Sequence, residues 1–411
     1  SHPARYPDSE TGPLCRRPTV NSDHSTTPMN SVLSRREMVR SAGLATVGLA
    51  LTPVSGWPAT WFAQEARVVP FTDVGENFTG LRPQGDNDLP GQRPIAQDMR
   101  ELSSWVTPTE DFFNVSHYGY PELDASSYRL QFTGLVERPL SLTLEDLRSR
   151  PRVEATTVFE CGGNSRGMLH GMVGNARWTG TPLLPLLAEA RPTSDSREAH
   201  FWAADTGVEE IRGNEYEQNF ARSMSLDHVS ETGPMLAYEM NGEPLTTVHG
   251  FPVRLIVPGW YGVCQVKWLQ RIELSADRLM TRFMAKDYVT LMGRDVNGKT
   301  QWVETSVTRL RVKSVIARVT RSGDDFTIFG AAWSDGTPLD RVEVKVDDED
   351  WRAATLERPD DPHTWTFFSL ETAGLAPGEH TVVSRATDAE GRTQPVDLSM
   401  KRTRWENNEL F

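Results

Sequence analysis

Phe159-Glu160-Cys161-Gly162-Gly163-Asn164-Ser165-Arg166 carries one of three cysteines in a chain of 411 residues, and its neighbours decide what that thiol is for. A lone cysteine is more often a small buried hydrophobe than a reactive group. Here two glycines strip the following backbone of side chains and leave room for a bulky group beside the sulfur. Asn164 and Arg166 supply donors within one turn of it. A nucleophilic thiolate is poorly served by Glu160, because an adjacent carboxylate raises a thiol's pKa. A bound metal, by contrast, removes the proton outright. The context therefore points to a metal ligand rather than a covalent catalyst. Cys15 and Cys264 add no paired zinc spacing and no haem-attachment spacing, so any cysteine chemistry belongs to a single residue. A Cys161–Cys264 disulfide is the alternative in an oxidising compartment, and nothing in the local sequence asks for it.

Outward from this segment, residues 127–190 mix short alternating runs such as Tyr128-Arg129-Leu130-Gln131-Phe132 with helical patterns at 142–148 and 183–190, giving α+β character. Val253-Arg254-Leu255-Ile256-Val257 and Gln265–Leu274 read as strands separated by the Pro258-Gly259 turn, and 279–293 as irregular or helical. His249, Arg254 and Lys267 then form a cationic donor set across a strand, a turn and a second strand. Such a set suits a phosphate-bearing cofactor, since Arg and Lys give charge-assisted hydrogen bonds to phosphate oxygens; a trio of solvated surface charges is the alternative. Beyond about Arg309 the texture changes to short β runs at 314–319, 325–329, 341–346, 364–369 and 380–386, the spacing of a β-sandwich. No long linker separates the two regions, so they are expected to pack together.

Four motifs in order carry a family resemblance. Glu160-Cys161-Gly162-Gly163-Asn164 resembles the E/Q-C-A/G-G-N motif of sulfite oxidases, and Ala176-Arg177-Trp178-Thr179-Gly180-Thr181-Pro182-Leu183 is similar to A-R-W-x-G-x-x-L. His249-Gly250-Phe251-Pro252-Val253-Arg254 resembles H-G-[FY]-P-V-R, and Val266-Lys267-Trp268-Leu269 resembles V-K-W-L. The likeness runs from about Thr107 to the C-terminus, including Ala332-Trp333-Ser334 and Trp405-Glu406-Asn407-Asn408. It implies a mixed α/β molybdopterin-binding domain of the sulfite oxidase fold, followed by an immunoglobulin-like β-sandwich that makes a homodimer. It implies molybdenum and molybdopterin as cofactors, with Cys161 as the protein ligand to the metal and His117, His249, Arg254 and Lys267 holding the pterin. Tyr288 falls where the family has an active-site tyrosine, able to donate a hydrogen bond to an oxygen whose charge changes. Arg166 matches an arginine of the substrate pocket.

The activity this implies is oxygen-atom transfer, sulfite to sulfate by default. Two departures leave the substrate open. In Phe112-Phe113-Asn114-Val115-Ser116-His117, Val115 stands where sulfite oxidases usually have an anion-binding arginine, and Asp335-Gly336-Thr337-Pro338 lacks the family's second one. A dianion wants several cationic donors, so another sulfur compound, or reduction of a sulfoxide, is the alternative. No Cys-x-x-Cys-His haem site is present, and electrons are expected to leave to a separate c-type cytochrome.

The bulk numbers fit. A net charge of −13 argues against a nucleic-acid binder and suits a basic protein partner. Near the start, Ser34-Arg35-Arg36-Glu37-Met38-Val39-Arg40 precedes a weakly apolar run, Ser41–Leu51, and then Pro53, Gly56 and Pro58: the order of a twin-arginine export signal. That run is far short of the roughly 20 residues that span a bilayer, so no membrane span is expected after cleavage, and the destination is the periplasm. The natural start is placed at Met29. The expected division is an N-terminal extension and signal over 1–66, the cofactor-binding domain over 67–305 and the sandwich over 306–411.

Overall fold

The computed structural model describes residues 66–72, 96–164 and 169–395, with short strand segments at 31–32, 404–405 and 409–410. The twin-arginine run and the apolar stretch after it lie outside the described residues, as does Arg166.

Local chemistry explains the helices. Before Leu144–Arg148 the Thr143 hydroxyl accepts from the Asp146 N–H while the Asp146 carboxylate accepts from the Thr143 N–H, a reciprocal cap. Leu183–Ala190 starts after Pro182 and buries Leu183, Leu186, Leu187 and Ala190 on one face. It stops where Arg191 turns left-handed at φ 53°. Together with Leu226–Thr232 and Arg282–Ala285, these short helices are set against much more strand, so the α+β expectation holds with β in excess.

The first domain has two five-stranded sheets. One runs Glu243–Pro244, Met235–Met240, Val173–Pro182, Val153–Glu160, with Arg254–Ile256 also paired to Met235–Met240. The other runs Leu140–Leu142, Leu130–Gly134, Leu269–Ser275, Glu198–Ile211, Asn214–Ser225, parallel only between Leu130–Gly134 and Leu269–Ser275. A hairpin, Val289–Val296 with Lys299–Ser306, leads into the second domain.

That domain is the expected sandwich. One sheet orders Thr355–Glu357, Thr366–Ala373, Asp325–Trp333, Lys313–Ser322 and Arg67–Val69; the other orders Ser31–Val32, Thr381–Asp388, Leu339–Val346 and Arg352–Ala353. Each short β run read from the sequence overlaps one of these strands, with Thr364, Trp365 and His380 lying just ahead of theirs. Alternate residues such as Val342, Val344 and Val346 face an inner layer with Val319, Phe326, Ile328 and Phe368.

Three readings change. Arg67–Val69 pairs with Lys313–Ser322, so these residues extend the sandwich sheet and not the domain assigned from residue 67. The strand expected over 265–274 begins only at Leu269. The Gln265 side chain explains this: its amide oxygen accepts from the Val257 N–H at 2.6 Å, and its amide nitrogen donates to the Val257 and Trp260 carbonyls, taking the place of a strand ladder. Finally, 279–293 divides into the helix Arg282–Ala285 and a strand from Val289.

The two domains share one core, in which Leu130, Phe132 and Leu274 join Val315, Phe329, Trp365 and Phe367. Trp105 stacks on Phe367 with ring centroids 3.8 Å apart, and the Val158 N–H donates to the His363 carbonyl at 2.8 Å. A shared core predicts one cooperative unfolding transition for both domains. Phe367→Ala should lower it by about 3–5 kcal/mol without splitting it, read by calorimetry; two separate transitions would refute the coupling.

Candidate active site

The strand Val153–Glu160 ends by delivering Cys161 to the edge of a cleft of about 640 Å3, part of it open to solvent. The Cys161 N–H donates to the Met172 carbonyl at 2.9 Å, and the Cys161 carbonyl accepts from the Asn164 N–H at 2.9 Å, which fixes the residue in a tight turn. Among the described residues, a side chain added at Gly163 would meet only the Cys161 sulfur, at 4.0 Å, so they leave space beside the thiol. Burial pushes the thiol up to about 11, helped by the Glu160 carboxylate and opposed by the Gly163 N–H. At neutral pH it is protonated, which disfavours a free nucleophile and leaves a metal as the agent that would displace the proton.

Cys161, His117, Tyr288, His249, Arg254, Lys267 and Val115 all line this cleft. The H-G-F-P turn explains how three of them converge. Gly250 sits at φ 101°, and a Cβ there would come within 3.0 Å of Lys267 Cβ and 3.2 Å of Arg254 Cβ. Only glycine lets the two cationic side chains approach so closely. Arg254 opens the short strand Arg254–Ile256, while Lys267 lies on the irregular segment before Leu269 and not on a strand.

These cations lack an ion-pair contact, and the Asp205 carboxylate in the same cleft acts on Lys267 only through space. Arg254 donates to the His249 carbonyl at 2.9 Å and the Gln265 carbonyl at 3.1 Å, and lies over the Trp178 ring, 4.7 Å from its centroid. Its Nε is buried without a hydrogen-bond partner. Lys267 Nζ donates to the Val248 carbonyl at 2.9 Å and faces the Trp268 ring at 4.3 Å. Among the described residues no carboxylate pairs with either. Burial lowers Arg254 to about 9 and, with the Arg254 charge, drives Lys267 well below the usual lysine range. An uncompensated buried charge costs on the order of 3–5 kcal/mol, whereas the cation–π contact returns about 2. The balance favours an anion in the cleft.

His249 is held neutral: burial, with Lys267 and Arg254, lowers it to about 3. Its Nε2 lies 3.0 Å from the Thr109 carbonyl, which can only accept, so Nε2 carries the proton and Nδ1 is left as an acceptor. His117 is lowered to about 4 by burial and Lys267; its Nε2 is 2.8 Å from the Tyr288 hydroxyl, and its ring stacks on Phe220. Burial raises the Tyr288 phenol, which therefore keeps its proton. Asp205 escaped the sequence reading. It lines the cleft from a bulge in Glu198–Ile211, its Oδ1 is buried without a partner, and burial raises it to about 6. Its setting in His200-Phe201-Trp202-Ala203-Ala204-Asp205 was the available signal, a carboxylate closing an apolar run.

The cleft thus offers one thiol, two cations without an ion-pair contact, and an unpartnered acceptor and donor at Asp205 Oδ1 and Arg254 Nε. Among the described residues no three His, Cys, Asp or Glu side chains cluster as a metal cage. A metal held here by one protein sulfur and otherwise by an anionic organic group fits this donor set; a bare ion does not. None of residues 335–338 lines the cleft, and Asp335 instead pairs with Arg392 at 3.1 Å.

Comparison with known proteins follows the same lines. Residues 117–283 match the model of the oxidoreductase molybdopterin binding domain, and 302–410 that of the Mo-co oxidoreductase dimerisation domain. The chain is 33% identical to human mitochondrial sulfite oxidase over 337 residues, 74% of this chain and 60% of that protein. It is 28% identical to the NADH nitrate reductase 2 of Phaseolus vulgaris over 407 residues, 88% of this chain and 44% of the relative. It thus spans about 60% of the length of the mammalian sulfite oxidases it matches. The sulfane dehydrogenase SoxCD of Paracoccus pantotrophus superposes with a TM-score of 0.65 at 27% identity, over 85% of this chain and 87% of that one.

Because His249 is lowered on folding, its contribution to stability is complete above the unfolded value of 6.5 and is lost as pH falls toward about 3. Urea titrations of the ligand-free protein should lose up to about 2 kcal/mol more between pH 7.5 and 5 in the wild type than in His249→Gln. Equal losses would refute a buried neutral histidine.

Proposed function

The chain belongs to the sulfite oxidase family of molybdopterin-dependent oxidoreductases, and from that premise we propose that it oxidises a small sulfur oxyanion, sulfite by default, at the Cys161 cleft. The observation that carries this reading is the convergence of one thiol and two buried cations without an ion-pair contact on a single cleft. When bound, the molybdenum cofactor would supply two-electron oxygen-atom transfer. Cys161 would be its protein ligand. Arg254 and Lys267 would take the terminal phosphate, with the Arg254 Nε free to donate. The His249 Nδ1 and Asp205 carboxylate would accept from the pterin's ring N–H groups.

Tyr288 remains protonated, so its hydroxyl can donate to a substrate oxygen when it is not engaged with His117. His117, neutral and wedged between Phe220 and Phe283, orients that hydroxyl and keeps the wall dry. Arg166 would add a cation to the substrate end. A separate c-type cytochrome would receive the electrons, a basic one suiting the net charge of −13. Homodimerisation through 302–410 and twin-arginine export to the periplasm complete the proposal.

A second reading is favoured by Val115, which lines the cleft as an apolar wall where an anion-binding arginine is usual in the family. Such a wall suits a longer, less charged sulfur compound, and the solved relative is named for sulfane oxidation. Sulfite, a sulfane substrate and methionine sulfoxide, each assayed with the appropriate electron acceptor or donor, separate these readings. If sulfite is the substrate, Val115→Arg should lower its KM by about tenfold, the worth of one charge-assisted contact, with kcat little changed; an unchanged KM would place the anion elsewhere. Cys161→Ser should abolish turnover while leaving the thermal transition within a degree or two of wild type, and retained turnover would refute the ligand role.

A further inference from the structure

Glu160, the residue before the thiol, belongs to the first domain but is held by the second. Its side chain is 3% exposed. One carboxylate oxygen pairs with Lys313 Nζ and accepts from Asn164 Nδ2 at 3.1 Å; the other accepts from the Trp333 indole N–H at 3.0 Å. Lys313 and Trp333 are directly opposite each other in the register of Lys313–Ser322 with Asp325–Trp333. One paired position of the sandwich therefore presents both donors together.

Asn164 carries this grip to the thiol. Besides donating to Glu160, its amide nitrogen donates to the His170 carbonyl at 2.9 Å, and its amide oxygen accepts from the Met172 N–H at 3.1 Å. The Cys161 N–H in turn donates to the Met172 carbonyl. Both ends of the 161–172 segment are thus joined through one amide, and that amide is fastened to a carboxylate gripped from the other domain. An exposed ion pair would mean little here. A buried carboxylate deprived of its cation is a different matter, because it must find new partners or drag its strand toward water.

We infer that Glu160, Lys313 and Trp333 are positioning residues through which the sandwich domain sets the direction of the Cys161 thiol, so that the cleft is incomplete without that domain. What the thiol holds rests on the function proposed above; the clamp itself does not. Hydrogen exchange of the full-length protein, followed at the amides of 161–164 and 169–172, tests it. Lys313→Met and Trp333→Phe should each speed exchange there by about tenfold or more, while Lys313→Arg restores it. Ser314→Ala is the control: it removes the buried hydroxyl's bonds to Ser384 and Gln394. Ser314 is next to Lys313 in the chain but its own side chain makes no bond to Glu160, so the change should destabilise the sandwich with loop exchange unchanged. In cofactor-loaded protein, Lys313→Met should also shift the visible absorption that a thiolate–metal bond contributes. Wild-type exchange in both Lys313→Met and Trp333→Phe would overturn the inference, as would an equal rise in Ser314→Ala. If Lys313→Met does not fold, Trp333→Phe, which keeps an aromatic ring but loses the N–H donor and part of the buried indole volume, decides when read against the Ser314→Ala control. Faster exchange in a protein whose spectrum shows no thiolate–metal absorption would support the clamp while sinking the ligand role of Cys161.

Discussion

Two buried cations with no carboxylate in ion-pair contact, sharing one cleft with a neutral thiol, are the constraint on which the rest depends. Arg254 and Lys267 are placed by backbone geometry that only Gly250 permits, and their donors reach carbonyls and aromatic faces but no anion. A fold that desolvates two positive charges and leaves an Nε orphaned is destabilised locally. An anionic ligand removes that penalty. Its recognition is therefore written into the folded chain before any metal arrives, and the Cys161 sulfur lining the same cleft fits a metal brought in by such a ligand.

The fold serves this arrangement by letting two sheets and a second domain meet at one place. One sheet ends at Cys161, the other contributes Asp205 and Phe220, and the segment between their strands brings His249, Arg254 and Lys267. The sandwich shares its core with the first domain and reaches Glu160 through Lys313 and Trp333. The domain matched as a dimerisation module is thus also part of the wall behind the thiol.

Much of this was legible in the sequence because the chemistry is local. The helix at 183–190 follows from its apolar spacing, and the sandwich strands from alternation between polar turns. The cleft's cations were legible as charges inside apolar runs. What was not legible depended on side chains substituting for backbone. Gln265 satisfies Val257 and Trp260 and so delays to Leu269 a strand that residue pattern alone would start at Gln265. Asp205 turns into the cleft through a bulge, a feature with no period to read. The Arg67–Val69 edge strand joins a sheet whose other strands lie more than two hundred residues later, a pairing that no local signal encodes.

The proposed chemistry turns on a bond between the Cys161 sulfur and molybdenum. X-ray absorption at the molybdenum edge of the purified wild-type protein tests it most directly, because it counts the sulfur atoms around the metal. One sulfur neighbour beyond those a pterin dithiolene supplies is the expected result. A shell containing the dithiolene sulfurs alone, or a fully loaded preparation without molybdenum, would contradict it.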